Sequence, residues 1–484
     1  MECGVQEKPV AEMDARERCL YIDRLTPKGG LYTDVQRTVH AESNSSWRVS
    51  PEAFGMPPEV VGHFEALGKH LYRFYLAANL LYSQSVRGIL PAWVASYLDQ
   101  GKPEDVIAYG RMNRFKQHLP CVIRPDIIPV QGGMVATELD SVPGGIGFTA
   151  SLGARYGRLG DDIVGGADGM VSGFVQMIRS VAEAAHPVLG VVVSEESSAY
   201  LPEMRWLGEA VNQAGLEAYV VAPEAVHFTE EGLFVTGDGG KLRRLDVLYR
   251  FFELFDLKNI PKMDLILYAI RKGLVRVTPP LKSYLEEKML MALFHHPLLR
   301  SFWLRELGEA AFSFLADTFP KTWILDPRPL PPHGVIPGLE VDGQAFSDWR
   351  ALGGLGQKQR EFVIKPSGFS ELAWGSRGVS VGHDMPEGEW QGVIEQALDA
   401  FYTTPHILQE YRTGSRFAVE YYDFGTDQMA RFRGRMRLCP YYFVVDGAPV
   451  LSGIQATICP PDKKLLHGMV DAVVAPCAVK GKGH

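Results

Sequence analysis

Residues 121–145 read CVIRPDIIPVQGGMVATELDSVPGG, and the way charge is spaced in this stretch decides how the rest of the chain is read. Two apolar runs flank a glycine pair, the first holding Arg124 and Asp126, the second ending in Glu138 and Asp140. In an extended strand alternate side chains share a face, so Arg124 and Asp126 point the same way, as do Glu138 and Asp140. If the two runs pair, three carboxylates and one guanidinium converge.

Composition sets the limits within which this constellation works. A chain of 484 residues exceeds what one core supports, so two or three domains are expected. Hydrophobic residues make up 46% and charged residues 22%, ordinary values for a globular protein, which excludes extended disorder. A net charge of -8 and a pI near 5.9 argue against a nucleic-acid partner. The six cysteines are scattered without a C-x-x-C pair, as free thiols of a reducing compartment would be. The polar opening lacks the apolar core of a secretory signal, and no apolar run approaches a membrane span. A cytoplasmic protein without a membrane partner is expected.

Outward from the quoted stretch, periodicity divides the chain into four segments. Residues 1–110 read as a helical region, on the three- and four-residue apolar spacing between Pro51 and Asp99. Residues 111–185 hold the acidic stretch and a glycine-rich turn that enters a helix. Residues 186–279 alternate strand and helix: VLGVVVS, LPEMRWLGEAVNQAG, LEAYVVAP, a small hairpin, LDVLYRF, IPKMDLILYAIRKG and LVRVTPP. That order predicts a parallel, Rossmann-like unit, and the lack of G-x-G-x-x-G after its first strand gives no support to a dinucleotide. Residues 280–484 begin helix-rich, pass a proline-dense loop near Asp326, and continue through short strands, EFVIKP and HILQEY among them. The fold class expected is α/β (α+β).

Lys365 ends a buried-type strand and is followed by a Gly/Ser loop, a combination suited to phosphate: the ammonium neutralises oxyanions and glycines let backbone N–H groups approach. Lys288, in LKSYLEEKMLMALF, is a second such cation. Phosphates held by two cations still call for a metal that prefers oxygen, and Asp126, Glu138 and Asp140 are oxygen ligands. The parts add up to a site for ATP and Mg2+.

At these residues the chain resembles the glutathionylspermidine synthase branch of the ATP-grasp ligases. Arg124-Pro-Asp126 and Glu138-Leu-Asp140-Ser-Val-Pro143 match that family's Arg-x-Asp and Glu-x-Asn with the same gap between them. Further on, DVLYRFFELFD resembles its tyrosine-containing strand, and TPPLKSYLEEKMLMALF places Lys288 on its first lysine. Val363-Ile364-Lys365-Pro366 and then Gly375-Ser376-Arg377-Gly378 resemble its Lys-Pro strand and Gly-Arg-Glu-Gly loop. Gln409-Glu410, with Tyr411 beside them, resemble the Gln-Glu of its adenine hinge.

The resemblance implies an ATP-grasp fold, with residues 111–185 and 280–484 as its two parts around a pre-ATP-grasp unit. It implies a ligase that joins a small-molecule or peptide carboxylate to an amine through an acyl phosphate. Asp126, Glu138 and Asp140 would hold Mg2+; Lys288, Lys365, Gly375–Gly378 and Gln409–Tyr411 would hold ATP; Arg124 would face the developing charge, alone or while paired to Asp126. Asp140 departs from the family's Asn, and the chain from Arg435 onward does not resemble the family's ending. A nucleotide-binding protein that does not ligate, and an ATP-grasp kinase, remain as alternatives. Three lesser features stay open: Arg431, Arg433, Arg435 and Arg437 on one strand face, as an anion site or a charged edge; His467 and Asp471 as a surface pair; His295-His296 as partners of a helix end.

Overall fold

In a computed structural model, residues 9–27, 29, 47–373, 375, 377–463, 466 and 470–480 are described. The acidic stretch folds as a hairpin of strands Val122–Val130 and Gly133–Asp140, antiparallel, with Arg124 opposite Asp140 and Asp126 opposite Glu138. A bulge shifts the register only beyond Asp126, and the regular pairing before it keeps all four charged residues on one face at the open end.

The hairpin forms one edge of the largest sheet. Next to Val122–Val130 lie Gln428–Val445, Ala448–Cys459 and Val473–Val479, and the far edge is Phe54–Met56, parallel to Val473–Val479. Arg416–Asp423 also pairs with Gln428–Val445, along its first half. The helical reading of the N-terminal segment holds for Pro58–Val86, Trp93–Asp99 and Glu104–Gly110. Phe54–Met56 is a strand instead, because Pro57 holds the residue before it extended. The helix Pro58–Val86 buries Phe64, Leu67, Leu71, Phe74, Ala78 and Leu81 in the main core. At Gly68 a Cβ would meet the Tyr442 ring at 2.4 Å, so only glycine lets helix and sheet approach this closely.

The strand–helix alternation of 186–279 gives a four-stranded parallel sheet. Its spatial order is Arg276–Thr278, Val247–Phe251, Val188–Val193, Glu217–Val221, with helices Leu201–Gln213 and Met263–Lys272 as crossovers. A second four-stranded sheet, all antiparallel, is built from Thr322–Ile324, His406–Glu410, Phe362–Pro366 and Ser380–Val381. Trp390, Ile394 and Leu398 of helix Glu387–Asp399 close its far side, together with Leu352 and Leu355. Residues 326–338 form neither helix nor strand, as their prolines require. Among the described residues no helix is long and apolar enough to cross a membrane.

Candidate functional site

The open end of the hairpin faces the second antiparallel sheet across a cavity of about 310 Å³. Arg124, Asp126, Glu138, Asp140, Lys288, Lys365, Gly375, Gln409, Glu410 and Tyr411 all line it, so residues from four separated segments meet here. The register explains why: direct opposition of Asp126 to Glu138 and of Arg124 to Asp140 leaves their side chains no other face to use.

Charges in this cavity are paired with one another. Arg124 Nη2 lies 3.2 Å from Asp126 and 3.0 Å from Asp140. Asp126 is also met by Arg437 at 3.0 Å and by the Cys439 thiol at 3.5 Å. Lys288 pairs with Glu138 at 2.7 Å and donates to the Ala373 carbonyl at 3.2 Å. Lys365 donates to the Thr137 carbonyl at 2.7 Å, one residue from Glu138. Asp140 additionally accepts the Val142 N–H at 2.9 Å.

These pairings set the protonation states. Burial alone would push the Glu138 carboxyl up, but Lys288 and Lys365 outweigh it and hold its pKa below the ordinary value. Burial raises Asp140, with Arg124 opposing. Lys288 sits above the usual lysine range: burial depresses it, and Glu138 and Asp140 more than restore it. Burial brings Lys365 down to about 8, with Glu138 offsetting part of the shift. For Arg124, burial is overcome by Asp126 and Asp140 and the guanidinium stays charged. The Nε atoms of Arg124 and Arg437 are buried without a hydrogen-bond partner, which leaves donor capacity beside the cavity.

Other expected residues fall differently. Arg377 pairs with Glu196 of the Rossmann-like unit at 3.0 Å and is not in the cavity wall, nor is Gly378, whose N–H is held by the Leu372 carbonyl. Ser376 lies outside the described residues, as does His467. Gln409 is buried with its amide on Thr322 at 3.1 Å. Glu410 is held by Arg412 at 2.7 Å, and the Tyr411 hydroxyl accepts from Arg435 at 3.0 Å. His295, at the end of helix Met289–His295, bonds the Phe319 carbonyl at 3.1 Å and serves the fold.

The alternating arginines divide: Arg431 pairs with Glu420 at the exposed end of its strand, while Arg435 and Arg437 line the cavity. Cys439, Tyr441 and Gln455, further along the same sheet, were not anticipated; continuing the every-second-residue pattern from Arg437 would have found the first two.

For a triphosphate the fit is good in kind: two buried ammonium groups, unpartnered guanidinium nitrogens and a volume within the range of ligand sites. For Mg2+ the donors are chemically apt, since hard carboxylate oxygens suit it. Among the described residues, however, no group of three or more His, Cys, Asp or Glu side chains is arranged to hold a metal by itself.

Sheets and crossovers together define a mixed α/β chain. The chain matches a glutathione synthetase-like effector from Globodera pallida, solved in its apo form, over 98% of its own length and 99% of the other, with a TM-score of 0.56 and 10% identity. At that identity the likeness is one of fold. A protein assigned as a γ-glutamylcysteine synthetase from Methylobacillus flagellatus covers 76% of this chain and 83% of itself at 12% identity, with a TM-score of 0.39. No protein-family model and no curated protein matches the chain.

Proposed function

We propose that the chain is an ATP-dependent carboxylate–amine ligase of the ATP-grasp kind, akin to glutathionylspermidine synthase and acting through an acyl phosphate. The observation that carries this reading is that Lys288 and Lys365, from two distant segments, meet the acidic hairpin in one cavity, Lys288 on Glu138 and Lys365 on the carbonyl of the adjacent Thr137. On this reading the units are 1–110, 111–185, 186–279 and 280–484, with the second and fourth forming the nucleotide site.

Lys288, Lys365 and the loop at Gly375 bind the phosphates, while Gln409–Tyr411 border the base. Asp126, Glu138 and Asp140 would hold Mg2+; the ion is commonly bound by one or two carboxylates together with substrate phosphates, so a complete protein cage is not required. When bound, ATP would supply the phosphoryl group that activates the substrate carboxylate, and the ion would neutralise charge on the phosphates. Arg124 faces the charge that develops on the transferred group, and the walls exclude water from the activated acyl group until an amine displaces phosphate. The guanidiniums of Arg124, Arg435 and Arg437 around the cavity suit an anionic carboxylate substrate.

A second reading is a nucleotide-binding protein that does not ligate, and one observation favours it: Asp126, Glu138 and Asp140 each already have a cation partner in the protein. A screen of carboxylates and amines for ADP release separates the readings. Release that needs both substrates is the expected result; release with a carboxylate or hydroxyl compound alone marks a kinase, and Mg-ATP binding without release across the screen marks the second reading.

A further inference from the structure

Glu286, Glu287 and Lys288 are consecutive, yet each is fastened to a different part of the molecule. Glu286 accepts from the fully buried Arg250, whose other nitrogens donate to the carbonyls of Phe252 at 2.7 Å and Pro279 at 3.4 Å. Lys288 is fastened to Glu138 of the hairpin. Between them, Glu287 pairs at 2.5 Å with Lys102, from the turn after helix Trp93–Asp99, and both side chains are shut off from water. Lys102 also donates to the Leu98 carbonyl at 2.5 Å.

The other oxygen of Glu287 accepts from the hydroxyl of Ser367, and that hydroxyl in turn accepts the Met289 N–H at 3.0 Å. Ser367 stands two residues after Lys365, and Glu287 one before Lys288. A single carboxylate thereby joins the chain neighbourhoods of both lysines. The loop after Lys365 is pressed onto this segment: a Cβ at Gly368 would lie 2.5 Å from the Glu286 carbonyl oxygen. Lys102, Glu287 and Ser367 are not part of the cavity wall.

An ion pair closed to water is weak support for stability, since an apolar pair of similar volume commonly does as well. What it imposes is geometry, because neither charge tolerates displacement from its partner. We propose that Lys102, Glu287 and Ser367 form a positioning device that sets the distance between the two phosphate-facing lysines, Lys288 and Lys365. The proposal rests on the reading of the cavity as a nucleotide site.

The test compares unfolding midpoints and Mg-ATP dissociation constants for the wild type, Lys365→Ala, the double variant Lys102→Met/Glu287→Met, and Ser367→Ala. Removing the pair whole leaves no stranded charge, so the double variant is expected to keep its midpoint while Kd for Mg-ATP rises about tenfold. Ser367→Ala is expected to raise Kd about threefold and also to lower the midpoint, because it strands the Met289 N–H and one Glu287 oxygen away from water. A lowered midpoint with Kd of the folded fraction unchanged overturns the proposal. Weakened binding in Lys365→Ala but not in the double variant overturns the positioning role alone, whereas a wild type that does not bind Mg-ATP overturns the nucleotide reading with it. Should the double variant fail to fold, Ser367→Ala decides: weaker binding supports the proposal, unchanged binding overturns it.

Discussion

Asp126 illustrates how much of the site is electrostatic bookkeeping at single residues: two guanidiniums and a thiol converge on one carboxylate. Its neighbours are balanced likewise, Glu138 against Lys288 and Asp140 against Arg124. A buried charge without its partner is costly, so these residues are most informative when altered without changing their size. Glu138→Gln keeps the shape and removes the charge. It should lower ligase turnover by about a hundredfold or more, read as amine-dependent ADP release, and full activity would remove Glu138 from the site. Alternation in the sequence indicated that Arg431, Arg433, Arg435 and Arg437 share a face, but not which of them are covered. Only Arg435 onward pairs with Ala448–Cys459, so the earlier arginines overhang into solvent, a fact about the neighbouring strand's length that no local pattern contains.

At the scale of elements, the hairpin's facing carboxylates were legible because they depend on period and turn alone. The link between the hairpin and the Rossmann-like unit was not legible. Helix Ile146–Arg158 begins just after the hairpin, and its first N–H groups are capped by a residue from another helix: Glu203 accepts from Gly145 at 2.7 Å and from Phe148 at 2.8 Å. Burial raises the Glu203 carboxyl to about 7, against the pull of those two N–H groups. Its proton is therefore held more tightly in the folded than in the unfolded chain. The resulting stabilisation is fully present below the ordinary carboxyl range and is lost as pH rises through about 7, by something on the order of 3 kcal/mol. Glu203→Gln cannot titrate, so the stability difference between wild type and variant, followed by denaturant unfolding, should shrink from pH 5 to pH 8. A difference that is constant or grows over that range would contradict this account of the cap.

For the whole molecule, the site exists only because chain segments more than two hundred residues apart close on one cavity, as Thr137 and Lys365 do. A ligand that binds the assembled site alone must stabilise the fold, by about 2.7 kcal/mol at a hundredfold excess over its dissociation constant. Mg-ATP is thus expected to raise the unfolding temperature of the wild type and to raise that of Lys365→Ala much less at equal concentration. The order of elements could be read from the sequence because it is local, and the meeting of Lys288 and Lys365 with the acidic hairpin followed from the family resemblance. The pairing of Lys102 with Glu287 could not, since nothing near either residue marks it as buried with a partner from another segment. The most direct measurement is an isothermal titration of the wild-type protein and Lys365→Ala with Mg-ATP. Saturable binding near one nucleotide per chain, weakened about tenfold or more by the substitution, is the predicted result. No binding, or binding of equal strength in both proteins, would contradict it.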